Sequence, residues 1–493
     1  MGAFHFLGRS RELQQFAEFA RAPGSGFTHL RGRRRIGKTE LLRRVRDEWP
    51  NAFYFMGRGD ESNRITMKRF AIDWDAFTGT RQLTRLRSDE LTWDELFNAV
   101  AGHAEASSEP VILLFDEIQW MAAKRSGFLG LLKEIWGQWR KLGNIKVVLC
   151  GSSNRFFHTY TDGEMAVLRG LRTHASIAVT PFSLAELRDD WFPNWSTTEL
   201  CLTAMMVGGV PYYLENLPAD DNFIRAVDQG IFSPSSIFLE EVDALLKLET
   251  GTAGSRKKIK KILGKMGEAG ATESALFTAT GLPQNDVHKT LDRLLDYGLV
   301  VERWPLGEPK SNRRGVRYAM EDPYLNLYFT VLQPMAARIH SMDHKPLFAT
   351  EVLGSKSGYY IEGFTGSAFE RLIGSVLERG RIDQGARSPG IFKKLKLTTG
   401  RFEWGTYWSP GKTQIDLVVR GLDDREVRIV EAKWTHRTVD AASNYPEQVL
   451  TKMYDPKDWR MSFYLALSAA HTQGFEQRAT RMGVGLIDLE DLF

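Results

Sequence analysis

Cysteine is almost missing from this chain: Cys150 and Cys201 are the only two in 493 residues, with neither paired spacing nor a Cys/His array around them. Nothing therefore supports a disulfide framework or a cysteine metal site, and a reducing compartment is expected. Long apolar runs are missing as well. No stretch approaches membrane-spanning length, and Met1 to Ser10 carries no basic region followed by an apolar segment, so the expectation is a cytoplasmic protein with no membrane partner. Internal repeats and low-complexity tracts are also lacking. Charge of one sign does not dominate: 65 Lys and Arg stand against 61 Asp and Glu, a formal net charge of +4. The balance hides two clusters. Arg31, Arg33, Arg34, Arg35, Lys38, Arg43, Arg44 and Arg46 crowd one segment, and Arg256, Lys257, Lys258, Lys260, Lys261 and Lys265 another. Each fits a polyanionic partner, with a solvated helix face as the alternative for the second. The length allows three or more domains, because single hydrophobic cores stop growing well below it.

What is present is led by Leu30-Arg31-Gly32-Arg33-Arg34-Arg35-Ile36-Gly37-Lys38-Thr39, which follows the short apolar run Phe27 to Leu30. Glycine, four residues, glycine, lysine and threonine between a strand and a helix form a phosphate-binding loop. Backbone N–H groups of such a loop point at a nucleotide's phosphates, Lys38 reaches the terminal ones, and the Thr39 hydroxyl can hold Mg²⁺. Gly32, Arg33, Arg34, Arg35, Ile36, Gly37, Lys38 and Thr39 are thus the expected nucleotide-binding residues.

Pro110 to Phe115 is a continuous apolar run ending in Asp116-Glu117, as a strand buried on both faces would be. After a phosphate loop, Asp116 is expected in the Mg²⁺ shell, and Glu117 is expected to orient and deprotonate the attacking water. An acidic pair after a strand can also be a helix N-cap. A second buried run, Ile145 to Cys150, ends in Gly151-Ser152-Ser153-Asn154. Alternation of such strands with helical stretches at Thr39 to Glu48, Trp93 to Ala106 and Phe128 to Arg140 predicts a parallel sheet covered on both faces. Ligands bind there at the carboxyl ends of strands, where Lys38, Asp116 and Ser152 lie.

These segments resemble the P-loop ATPases of the archaeal-ATPase type, within the AAA+ and STAND group. Phe6-Leu7-Gly8-Arg9-Ser10-Arg11-Glu12-Leu13 is similar to that family's N-terminal box, Gly151-Ser152-Ser153 to its polar sensor, and Gly208-Gly209-Val210-Pro211-Tyr212-Tyr213-Leu214 to its helical-lid motif. The resemblance implies ATP with Mg²⁺ as cofactors, Ser152 near the γ-phosphate, and ATP-dependent self-association. Val167 to Thr173 resembles the segment that supplies an arginine finger, with Arg172 the candidate and Arg169 its rival, since Leu171 stands where the family has arginine.

Between Arg256 and Met320 the pattern is that of a winged helix. Val287, Leu291, Leu294 and Leu295 recur at helical spacing, leaving Gln284, Asn285, His288, Lys289 and Arg293 facing outward, with Val300 to Trp304 and Arg317 to Met320 as the wing. Such a helix can enter a major groove, so duplex DNA is the expected nucleic-acid partner; the alternative is a spacer.

The last stretch holds a second constellation. Gln414 to Val419 and Glu426 to Lys433 are strand-like runs flanking Gly421-Leu422-Asp423-Asp424. A turn centred on Asp423-Asp424 places Asp416 opposite Glu431, and Lys433 on the face of Glu431. Cross-strand Cβ atoms lie about 5 Å apart, a span one divalent metal can bridge with two carboxylates. Upstream, Glu370 borders the apolar face of a predicted helix, Gly366 to Arg379. The set resembles the PD-(D/E)XK nucleases, with Glu370 as the first-helix acid, Asp416 as the central acid and Glu431-Ala432-Lys433 as the E-x-K element. It implies catalysis by Glu370, Asp416, Glu431 and Lys433, with Mg²⁺ or Mn²⁺ on the three acids. Glu447-Gln448 is a weaker match to a supporting position.

The expected fold class is a multidomain α/β chain. It comprises a P-loop parallel-sheet core (1–185), a helical lid (186–252), a winged helix (253–322), a helical linker (323–357) and a restriction-endonuclease-like α/β domain (358–493). The function this implies is ATP hydrolysis coupled to metal-dependent nucleic-acid cleavage, by analogy in defence against mobile DNA. The alternative is a signalling or adaptor ATPase that binds without cutting.

Overall fold

Five parallel strands in the order β2-β3-β4-β1-β5 form the sheet of the first unit in the computed structural model. They are β1 Gly26–Arg31, β2 Ala52–Met56, β3 Val111–Asp116, β4 Ile145–Gly151 and β5 Ile177–Ala178. The structure describes residues 6–493 except 88, 123–126, 152–153, 164–165, 219–221, 250–252, 309–312, 342–346, 354–358, 383–388, 410–412, 453 and 455–458. Every residue of β3 and β4 is buried, which explains their unbroken apolar sequence: a parallel strand flanked by helices has no wet face. The one cation in them, Lys146, satisfies its ammonium on the carbonyls of Ala22 and Gly24 at 2.6 and 2.7 Å. A large aromatic core built on Phe70, Trp74, Trp93, Phe97, Phe115 and Trp139 fixes one helical layer against the sheet.

The chain divides into two compact units, Met1–Pro181 with Asp296–Gly298, and the remainder. In the second unit helix Thr197–Val207, started by a Ser196/Glu199 capping box, leads into the Gly208 to Leu214 motif. Gly209 is required there, because a Cβ would meet the Phe182 carbonyl oxygen at 2.1 Å.

Three helices, Ala253–Met266, Glu273–Thr280 and Gln284–Asp296, then precede an antiparallel pair, β6 Val301–Arg303 and β7 Arg317–Ala319. A bridge from Ala271 to Tyr318 adds a third short strand position. The segment thus holds three helices followed by an antiparallel hairpin. Its hairpin is fastened to the sheet that follows. Leu306 N–H donates to the Thr406 carbonyl at 3.0 Å, Trp408 Nε1 donates to the Gly315 carbonyl at 3.1 Å, and the Arg317 guanidinium lies 4.6 Å from the Trp408 ring centre.

That sheet is mixed, in the order β12-β11-β10-β9-β8: β8 Phe402–Ser409, β9 Thr413–Gly421, β10 Glu426–Lys433, β11 Arg460–Leu467 and β12 Val484–Asp488. Strands β8, β9 and β10 run antiparallel, and β10, β11 and β12 parallel. A helix longer than the sequence predicts, Tyr359–Ile382, packs across β8, β9 and β10 and carries Glu370 to the acidic strands.

Candidate functional site

The phosphate loop is shaped by two left-handed residues, Arg35 (φ 68°) and Gly37 (φ 86°), and by one close approach. At Gly32 a Cβ would meet the Val179 carbonyl oxygen at 2.6 Å, so only glycine fits. Helix Lys38–Glu48 starts at the loop's end and directs its free N–H groups into it. The Lys38 ammonium donates to the Gly32 and Arg33 carbonyls at 2.8 Å each, held over the loop, and burial lowers its pKa. Arg9, itself left-handed and buried, clamps the N-terminal box to the loop through the Ile36 carbonyl at 2.9 Å and the Thr180 carbonyl at 2.5 Å.

Thr39 and Asp116 meet: the hydroxyl donates to Oδ2 at 2.7 Å. Two hard oxygen donors at a helix N-terminus suit Mg²⁺. Tyr54, which sequence reasoning missed, donates its hydroxyl to the same Oδ2 at 2.9 Å, and burial first, then Asp116, raises its pKa. Glu117 sits in the left-handed region (φ 48°), a strained conformation of the kind found at functional sites, and accepts a short hydrogen bond from Gln119. Ser152 lies outside the described residues. Arg172 is exposed and donates to the Ser176 hydroxyl at 2.9 Å.

In the C-terminal sheet the acids come together as their register requires. Strand β9 pairs with β10 from Gly421↔Glu426 to Leu417↔Val430, so the next position sets Asp416 against Glu431. The turn is four residues long, Leu422 to Arg425, instead of the two expected, yet its centre and therefore the register are the same. At the acids, side chains replace the ladder. Asp416 Oδ2 accepts from Ala432 N–H at 3.0 Å, and Asp416 N–H donates to Glu431 Oε1 at 3.5 Å.

Glu431, 2% exposed, has a lysine on each oxygen: Lys433 Nζ at 3.6 Å from Oε2 and Lys452 Nζ at 3.2 Å from Oε1. Burial, then the charges of Asp416 and Glu431, pushes the Glu370 carboxyl up to about 8, which places the three acids in one electrostatic cluster. Among the described residues, no group of three or more His, Cys, Asp or Glu is arranged to hold a metal ion. The hard oxygens of Asp416 and Glu431 suit Mg²⁺ or Mn²⁺ in kind, while Lys452 and the Ala432 amide already use their lone pairs.

Glu447 is paired with Arg478, and the Gln448 side-chain amide donates to Asn444 Oδ1 at 3.0 Å. The residue that reaches Glu431 from this part of the chain is Lys452, just beyond helix Tyr445–Leu450. Arg303 of β6 was also missed: it is desolvated and carries the charge influence of Glu321 and Glu370. On the three-helix segment, Gln284, Asn285, His288, Lys289 and Arg293 are exposed as expected, whereas Arg313 is engaged by Glu302 at 2.5 Å.

Residues 6–217 match the family described as an ATPase domain predominantly from Archaea. An uncharacterized protein of Methanocaldococcus jannaschii is 24% identical over 429 residues, covering 87% of each chain. The Walker-type ATPase of Pyrococcus abyssi superposes with a TM-score of 0.51 at 18% identity, over 66% of this chain and 96% of its own. The N-terminal part is thus similar to archaeal-type P-loop ATPases, and the solved structure shares its fold. No helix among the described residues is long and apolar enough to cross a membrane.

Proposed function

We propose that this protein hydrolyses ATP and, in the same chain, cleaves nucleic acid with a metal-dependent site on β9 and β10, the nucleotide state controlling cleavage. On the ATP side, Lys38 and the loop amides bind phosphates, Thr39 and Asp116 would hold Mg²⁺, and Glu117 takes a proton from the attacking water once Gln119 releases it. Arg172 is the proposed finger.

The observation that carries the nuclease reading is the pair of bonds that Asp416 makes across the β9–β10 ladder, its N–H to Glu431 Oε1 and its Oδ2 from Ala432 N–H, with Lys433 beside Glu431. Asp416 and Glu431 would hold Mg²⁺ or Mn²⁺, with Glu370 in the same electrostatic cluster, and the ion when bound would supply a lowered water pKa and charge stabilisation on the leaving oxygen. Lys433 stands beside Glu431 to steady the phosphate and the attacking oxygen. Duplex DNA is the proposed substrate, met by the exposed Lys289 and Arg293. The second reading, an adaptor ATPase that binds nucleic acid without cutting, is favoured by one observation: both oxygens of Glu431 are already paired with lysine.

Plasmid nicking by purified protein with Mg²⁺ or Mn²⁺ separates the two. Cleavage should vanish in Asp416→Ala and in Lys433→Ala, while ATP turnover persists in both. Nicking that survives Asp416→Ala with Glu431→Ala would place the activity elsewhere, and no metal-dependent nicking by wild type would favour the adaptor.

A further inference from the structure

We infer that Lys452 is a positioning residue that competes with a divalent metal for Glu431 Oε1 and so sets the metal affinity of the carboxylate site, an inference that rests on the proposed metal-dependent reading of that site. Lys433 reaches Glu431 along its own strand. Lys452 instead comes from the segment between helix Tyr445–Leu450 and β11, and its ammonium joins the two acidic strands: it lies 3.2 Å from Glu431 Oε1 on β10 and donates to the Gln414 carbonyl on β9 at 2.7 Å. Gln414 is two residues from Asp416. Lys452 therefore bridges β9 and β10 at Glu431 Oε1, the oxygen that also accepts from the Asp416 N–H.

The electrostatic reason for a cation here is plain. Asp416 is 8% exposed and Glu431 2% exposed, and they share their surroundings with Glu370. Buried carboxylates packed together repel one another unless a positive charge is supplied. Mg²⁺ binds oxygen at about 2.0–2.1 Å, using the lone pairs that an ammonium at hydrogen-bond distance also uses. Two cations cannot share Oε1 at those distances without strong repulsion. Lys452 must therefore leave Oε1 for a metal to enter, and the Gln414 carbonyl, a fixed main-chain acceptor, keeps its ammonium close by. Lys433, on the other oxygen, has no such need to move.

The test is a Mn²⁺ titration of the nucleotide-free, full-length protein by calorimetry, with Lys452→Met, Lys452→Gln and Lys452→Arg, each with and without Asp416→Ala. Both neutral variants should bind Mn²⁺ about tenfold more tightly than wild type, the effect of removing one neighbouring like charge. Lys452→Arg should stay within about twofold of wild type, because it keeps the charge. The gain should vanish when Asp416→Ala is added. Asp416-dependent binding that the neutral variants leave unchanged or weaken would overturn the competition and leave the metal reading standing. A gain that persists with Asp416→Ala would also overturn it, since the ion would then bind elsewhere. Absence of any Asp416-dependent Mn²⁺ binding, in wild type and variants alike, would overturn both.

Discussion

The Thr39 hydroxyl donates to the Asp116 carboxylate at 2.7 Å across 77 positions of sequence, which joins the end of the phosphate loop to the end of β3. Lys38 and Glu117 sit next to these two residues, and the proposed function gives them different work: Lys38 would supply charge to phosphates in the ground state, whereas Glu117 would act only as the water is deprotonated. Lys38→Ala should weaken ATP binding by an order of magnitude or more, and Glu117→Gln should bind ATP normally and lose turnover by about 10²-fold or more. Fluorescent-nucleotide binding alongside steady-state phosphate release checks both. Unchanged release in Glu117→Gln removes Glu117 from the role of base.

His29 sits buried on β1, 2% exposed, accepting at Nδ1 from Arg31 at 2.9 Å. Burial first, then the charges of Arg31 and Arg172, lowers its pKa to about 3, with Asp162 opposing. Between pH 6.5 and about 3 the unfolded chain holds a proton that the folded chain does not, so stability is complete above 6.5 and falls with acidification through that window. The loss approaches about 1.4 kcal/mol per pH unit. His29→Asn keeps an acceptor for Arg31 and removes the titration. Urea unfolding at pH 7.5 and 5.5 should show wild type losing about 1 kcal/mol more than the variant on acidification. Equal losses would mean that the ring charges in the folded state.

Much of this molecule is legible in its sequence, for reasons that differ by site. The phosphate loop is local: ten consecutive residues dictate turn, glycine conformation and helix start. The Asp416–Glu431 juxtaposition is readable because hairpin register depends only on where the turn is centred, so a four-residue turn in place of two leaves it unchanged. Tyr54 becomes legible only with strand order, since the pairing of Met56 with Asp116 brings β2 beside β3. Lys452 and Arg303 are not legible at all. Each reaches the acidic cluster from a different element, by tertiary packing that no periodicity encodes.

The hairpin after the three-helix segment is where expectation and structure part most usefully. The wing of a DNA-reading winged helix would face a duplex, but here Arg313 is paired with Glu302 and hydrogen-bonded to Tyr318, and the hairpin is fastened to β8 through Leu306 and Trp408. Lys289 and Arg293 remain exposed on helix Gln284–Asp296. Reversing Lys289 and Arg293 should therefore lower duplex affinity and reduce the salt slope by about one per residue. Arg313→Ala should change affinity less than about twofold, as expected for a surface pair turned inward on its own hairpin. Anisotropy titrations at several salt concentrations measure both. If neither change moves affinity or slope, the segment is a spacer.

Arg172 lies in the stretch similar to the one that supplies an arginine finger, and its exposed guanidinium donates to the Ser176 hydroxyl at 2.9 Å. An exposed cation so lightly held is free to reach a γ-phosphate on a neighbouring copy, where charge develops during transfer. A finger acts on the transition state, so its loss should slow turnover by about 10³-fold while nucleotide affinity changes little. Arg172→Ala alone does not distinguish help given within a chain from help given across chains. Mixing it with Lys38→Ala does, because the Arg172→Ala subunit keeps an intact nucleotide site and the Lys38→Ala subunit still carries the arginine. Recovery of turnover in the mixture, with ATP-dependent assembly in sedimentation, is the expected outcome. Strictly monomeric protein with ATP and no recovery on mixing would exclude a finger in trans, and normal turnover in Arg172→Ala would turn attention to Arg169.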